Sequence, residues 1–133
     1  MLGNILIMTL LLTLIACADN LVREKAEDLD AAIDNYAYAL RWQRKNDAVA
    51  YHVKPDGTKP VIDTSMLDVI RITDFTITEK TVNPEITGAD VAGEFDYIHN
   101  EFGTLRKISF TQKWRYEPET KKWFLDSEFP QFK

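Results

Sequence analysis

The sequence has 133 residues, 45% apolar, 28% charged and 11% aromatic, the proportions of a globular chain rather than a disordered or collagen-like one. A net charge of −5 removes the electrostatic footprint needed to bind a phosphate backbone, so no nucleic-acid partner is expected. One cysteine and two histidines exclude an intrachain disulfide framework and a Cys-based zinc site, and no metal or cofactor is expected.

Charge is spread unevenly along the chain. Residues 1–18 carry no charged side chain, and every acidic and basic residue lies from Asp19 onward. Ile5 to Ala16 form an apolar run of 12. That is shorter than the roughly 20 residues that cross a bilayer, and it has the length of the apolar part of a secretory signal. The alternative reading is an uncleaved apolar helix with a buried cysteine behind it. The run ends in Leu14-Ile15-Ala16-Cys17, which resembles the lipobox of bacterial lipoproteins. The resemblance implies that residues 1–16 are a signal peptide cut before Cys17, and that Cys17 is acylated on its thiol and its new amine, with palmitate among the chains. Each buried CH₂ contributes about 0.8 kcal/mol, so several chains anchor far more firmly than one. Ala18 after the cysteine, rather than Asp, implies sorting to the outer membrane, with the domain facing the periplasm. An acylated Cys17 also removes the only thiol from any catalytic role.

Residues 17–133 are expected to form one domain. Asn20 to about Lys45 has the spacing of an amphipathic helix, with Leu29, Ala32, Ile33, Tyr36, Ala37 and Leu40 on one stripe. Asp19 or Asn20 is placed to cap it, and Asn46-Asp47 to end it. A short second helix is expected over Ala48–Val53, a turn-rich loop over Lys54–Pro60, and a helical turn near Thr64–Asp68.

Beyond Val69 the texture changes to strands. Four are expected: Val69–Val82, with a bulge near Asp74, then Ala89–His99, Thr104–Glu117 and Trp123–Phe129. Asn100–Gly103 and Pro118–Lys121 have the length of four-residue hairpin loops. Those loops set a register that pairs Tyr97 with Arg106, Phe95 with Ile108, Tyr116 with Trp123, Trp114 with Leu125 and Phe110 with Phe129. On the other face they set Asp96 against Lys107 and Lys113 against Asp126. A slip of one residue would turn every apolar side chain to the wrong face. The expected fold class is α+β, with a long N-terminal helix and a short one packed on a curved antiparallel sheet of about four strands.

That order, with the ending Gln112-Lys-Trp-Arg-Tyr-Glu-Pro-Glu-Thr-Lys-Lys-Trp-Phe-Leu-Asp-Ser, is similar to small NTF2-like bacterial lipoproteins. The resemblance implies a cone-shaped fold whose superfamily mixes enzymes with binding and assembly domains. Isomerases and dehydratases of that kind hold an acid or base inside the cone. Here the inner face of the last three strands offers no carboxylate, and its one histidine, His99, sits at the sheet's end. His52, Asp63 and Asp74 are expected to be solvated loop or edge residues. No catalytic residue is therefore assigned, and a binding domain is preferred to a small periplasmic enzyme.

Two places interrupt the apolar inner face. Gln112 and Ser127 are expected cross-strand partners, bonded to each other, to water or to a ligand. At the sheet end Tyr97, His99 and Arg106 share inward parity, with Gln131 and Lys133 beside Arg106. That cationic end would suit an anionic small molecule. The expected partners are thus the membrane through Cys17 and either such a molecule or an envelope protein. Cys17→Ala should leave an uncleaved precursor, and mass spectrometry of the wild-type chain should show a mature N-terminus at Cys17 carrying acyl mass. An unmodified Cys17 there would refute the anchor.

Overall fold

The computed structural model describes residues 2–133, with side chains from residue 19 onward, so the lipidation expected at Cys17 lies outside the residues whose side chains are described. Helix α1 spans Leu2–Arg41 and α2 spans Lys45–Ala50; a 3₁₀ turn at Ser65–Asp68 leads into β1 (Ile70–Val82), β2 (Gly88–His99), β3 (Leu105–Glu117) and β4 (Lys122–Leu125). The strands form one antiparallel sheet in sequence order, β1-β2-β3-β4. The expected α+β architecture is the one observed.

The stripe expected on α1 is buried: Leu29, Ile33, Tyr36 and Leu40 are each only 1% exposed. Because α1 is continuous from Leu2, neither Asp19 nor Asn20 caps a helix start. Its C-terminal end also differs from expectation. Gln43, not Asn46-Asp47, stops the helix by taking a left-handed φ of 57°. The amide of Arg44 reaches back to the Ala39 carbonyl and that of Gln43 to the Leu40 carbonyl, closing the last turn. Glycine is the usual residue there. Gln43 is held instead by its side chain, whose Nε2 donates to the carbonyls of Leu67 (2.7 Å) and Ile70 (3.3 Å). One residue thus ends α1 and ties it to the start of the sheet. The second helix consequently begins at Lys45, three residues before the expected Ala48.

The hairpin registers are as expected. Phe95 pairs with Ile108, Asp96 with Lys107 and Tyr97 with Arg106; Trp114 pairs with Leu125 and Tyr116 with Trp123. Lys107 meets both Glu94 (3.1 Å) and Asp96 (3.3 Å) on the outer face. In β1 the register shifts between Ile72 and Asp74, where the bulge was expected, and again between Ile77 and Glu79. Glycine at 103 and a non-glycine, Lys121, take positive φ in the two hairpin loops.

β4 is shorter than the expected Trp123–Phe129. It ends at Leu125, after which residues 126–133 leave the sheet as a strap. Phe129 and Phe132 are both buried by it, at 8% and 5% exposure. Phe132 packs edge-on against Phe95 and Tyr97. The expected pairing of Phe110 with Phe129 is therefore not a strand pairing. On the far side of β4, residues 51–53 bracket Leu125: its amide donates to the Tyr51 carbonyl (2.7 Å), and Val53 donates to the Leu125 carbonyl (3.2 Å). This parallel bridge between His52 and Leu125 carries His52 inward.

Phe75, Phe95 and Phe110 form a stacked group over the middle of the sheet, with Phe75 and Phe110 nearly parallel at 5.3 Å. Gly93 makes that group fit. A β-carbon there would lie 2.2 Å from the Thr76 carbonyl oxygen and 2.6 Å from the Phe110 ring. Gly93→Ala should cost about 1–3 kcal/mol or more by overpacking. Gly88→Ala, whose added carbon would find nothing nearer than 3.4 Å, should be close to neutral. Urea denaturation of the two variants measures the contrast.

Candidate functional site

Tyr36 lies on the buried stripe of α1, so its hydroxyl needs a partner inside the protein. It finds His52, whose Nε2 is 2.8 Å away. The other ring nitrogen, Nδ1, is 3.1 Å from the Ser127 carbonyl. A carbonyl only accepts, so Nδ1 carries the hydrogen, and Nε2 accepts from the Tyr36 hydroxyl. Burial pushes the His52 imidazole below the usual histidine pKa, opposed by its bond to Ser127. Burial also pushes the Tyr36 phenol above the usual tyrosine value. Both groups are thus held neutral.

The expectation that His52 is a solvated loop residue is corrected: it is 2% exposed, with Phe129 over its ring at 5.6 Å. Asp63 and Asp74 are exposed, as expected, and each accepts a bond from a nearby amide, Ser65 and Phe75. The sequence signal for His52 was indirect. A tyrosine on a buried helical stripe demands a partner, and Tyr51-His52-Val53 places a polar side chain between two apolar ones.

Beside this pair sits Gln112, on the inner face of β3 and 5% exposed. Its Oε1 accepts from the Trp114 indole N–H at 3.0 Å. Its Nε2 is buried and has no partner. Gln112 and Ser127 are not cross-strand partners, because β4 stops two residues short of Ser127. The Ser127 hydroxyl instead accepts from the Lys113 amide at 3.3 Å.

Where the strap diverges from β3 it leaves a cavity of about 350 Å³ between residues 108–112 and 128–131. Tyr36, Phe110, Gln112, Leu125 and Phe129 line it. The volume is at the lower end of the roughly 300–1,000 Å³ of small-molecule sites. A larger depression of about 720 Å³ along residues 60–67 adjoins the cavity and shares Leu125 and strap residues 128–131; one of about 480 Å³ against β1 and β2 shares Thr111 and Gln112, and one of about 690 Å³ lies around Tyr38, Arg44 and Lys121.

The sheet end is arranged differently. Arg106 donates to the Lys133 main-chain oxygen at 2.7 Å, and the Tyr97 hydroxyl donates to the same oxygen at 3.0 Å. The Lys133 amide returns a bond to the Tyr97 oxygen at 3.2 Å. His99 accepts from the Glu101 amide and lies against the Phe102 ring. Tyr97 and Arg106 are thus brought together by the strap, His99 stands apart from them, and Gln112 belongs to the cavity. Among the described residues no group of three acidic, histidine or cysteine side chains could hold a metal, and no helix is long and apolar enough to cross a membrane. Comparison of the chain with protein-family models, with curated proteins and with solved structures finds no match.

Because folding lowers the pKa of His52, the unfolded chain binds more protons once the pH falls toward about 6.5. Stability should therefore drop as pH falls through that value toward the folded pKa, and be restored above it. His52→Gln, which keeps a donor and an acceptor, should flatten this part of the profile. Urea midpoints at pH 7.5 and pH 5.5 for both chains measure it; parallel profiles would refute the assignment.

Proposed function

We propose that this chain is a bacterial lipoprotein with an NTF2-like domain that binds a small molecule. It is anchored through Cys17 to the outer membrane and faces the periplasm. The anchor rests on the apolar run and the cysteine that ends it. Among the residues whose side chains are described, the buried stripe of α1 runs from Leu29 to Leu40, downstream of the proposed cleavage point. The helix is tied to β4 where the Trp123 indole donates to the Lys25 carbonyl at 3.0 Å.

The observation that carries the binding function is the cavity beside Gln112. Its lining joins Ile108, Phe110, Leu125 and Phe129 to the polar side chains of Ser109, Thr111, Gln112 and Gln131, the mixture of apolar walls and a few polar groups that small-molecule sites use. The Tyr36–His52 pair favours binding over catalysis. Both imidazole nitrogens are engaged, and the phenol is held protonated, so neither is free to act as a base.

The test uses the full chain isolated from envelope membranes. Small molecules released on denaturation should include at least one component missing from Ile108→Trp, in which an indole fills the cavity from the β3 side. Identical release from both chains would refute the binding function.

A further inference from the structure

We infer that the ligand is a short peptide in extended conformation, bound as an added strand on the free edge of β3 through main-chain bonds to Ser109 and Thr111. This rests on the binding function proposed above and names the ligand class of the same gap.

In an antiparallel ladder the main-chain groups of successive residues point to alternate sides. In β3 the Tyr116 amide donates to the Thr87 carbonyl, on the β2 side. The Lys113 carbonyl accepts from the Asp126 amide, and the Lys113 amide donates to the Ser127 hydroxyl, on the strap side. Odd-numbered residues of β3 therefore face the strap, and Thr111 and Ser109 are the next two in that series. β4 ends at Leu125, opposite Trp114. Among the described residues, no strap amide or carbonyl beyond Ser127 bonds the main chain of Ser109 or Thr111. Pro130, which lines the gap, has no amide hydrogen to give.

The gap lies directly on this edge. Ser109 and Thr111, both exposed, line it from one side, and Glu128, Pro130 and Gln131 from the other. Two residues of strand advance about 7 Å, so the edge presents a donor and an acceptor at Ser109 and the same pair again at Thr111. An extended peptide repeats its own donor and acceptor at that interval, which is how strand addition recognises peptides. A ligand with a single amide could meet one of the two sets only. Glu128 is the only charged residue lining the gap among the described residues, which suits a neutral main chain. The mixed walls suit side chains that alternate between the gap and solvent. A second copy of this chain fits less well, because two β3 edges would bring Lys107 and Lys113 of both copies into one ladder.

The experiment measures amide exchange by NMR in the full chain held in lipid nanodiscs, with and without four acetylated and amidated pentapeptides. Each peptide alternates Thr with Val, Tyr, Lys or Glu. In the free chain the Ser109 and Thr111 amides should exchange at least tenfold faster than those of Phe110 and Gln112, which face β2. At least one peptide should slow Ser109 and Thr111 at least tenfold. Its fully N-methylated counterpart, which keeps the side chains but no main-chain donor, should bind at least tenfold more weakly. Ser109→Pro and Thr111→Pro each remove an edge donor without touching the ladder to β2, and each should weaken the peptide at least tenfold. The exchange readout uses the unaltered chain and stands if the proline variants do not fold. Slow exchange at Ser109 and Thr111 in the free chain, whether from the strap or from pairing of two copies, would overturn the assignment. So would a peptide that binds without slowing those amides, or that binds as tightly when N-methylated; the binding function would survive both results. If no peptide binds, the assignment falls, and the release experiment above decides the binding function separately.

Discussion

Phe129 and Phe132 stand three residues apart, and a strand alternates its side chains with a period of two. No continuation of β4 could put both on the inner face. Their burial requires the chain to leave the sheet, and it does so directly after Leu125. Most of the site follows from this. The departing strap places the Ser127 carbonyl against His52, lays Phe129 over the imidazole and carries Lys133 to Arg106 and Tyr97. It also opens the space into which Gln112 faces, since β3 loses its neighbour beyond Trp114.

The inner polar groups are satisfied in an ordered way. Ser127, His52 and Tyr36 form one chain of bonds, and Trp114 and Gln112 form another. Each buried ring heteroatom of the two chains has a partner, as burial requires. The chains do not close on each other, and the amide nitrogen of Gln112 is the loose end. The other buried unpartnered atom, Arg115 Nε, belongs to a guanidinium that already bonds the carbonyls of Val53 and Lys54 on the opposite side of the sheet. The cavity wall mixes aromatic and aliphatic side chains with the polar groups of Ser109, Thr111, Gln112, Glu128 and Gln131.

Much of this was legible in the sequence wherever periodicity alone decides. The α1 stripe from Leu29 to Leu40 and both hairpin registers follow from spacing, and a one-residue error in either would have set apolar against charged side chains. The bulge near Asp74 could be seen from the slipped alternation. Ends were less legible than middles, because they depend on partners distant in sequence. Gln43 adopts a conformation typical of glycine because Leu67 and Ile70, more than twenty residues on, hold its amide. Leu125 ends β4 because of two phenylalanines beyond it. His52 is buried because the Leu125 backbone bridges to it, a contact that no local pattern records. The cavity, built from α1, β3 and the strap, inherits all three uncertainties of position.

The early end of β4 has a further consequence, for solubility. On the side that faces the strap, Lys113 uses both its amide and its carbonyl. By the alternation of an antiparallel strand, the main-chain groups of Ser109 and Thr111 point the same way. They have no strand beside them, which makes residues 105–112 a template on which a second chain could pair edge to edge. The sequence tempers this with Lys107 within the stretch and Lys113 at its end, side chains that resist stacking of like strands. The strap crossing nearby shields the inner side of the same edge. The gap between β3 and the strap and the edge that must be kept from aggregating are therefore one feature. Any change that widened the first would also bare the second.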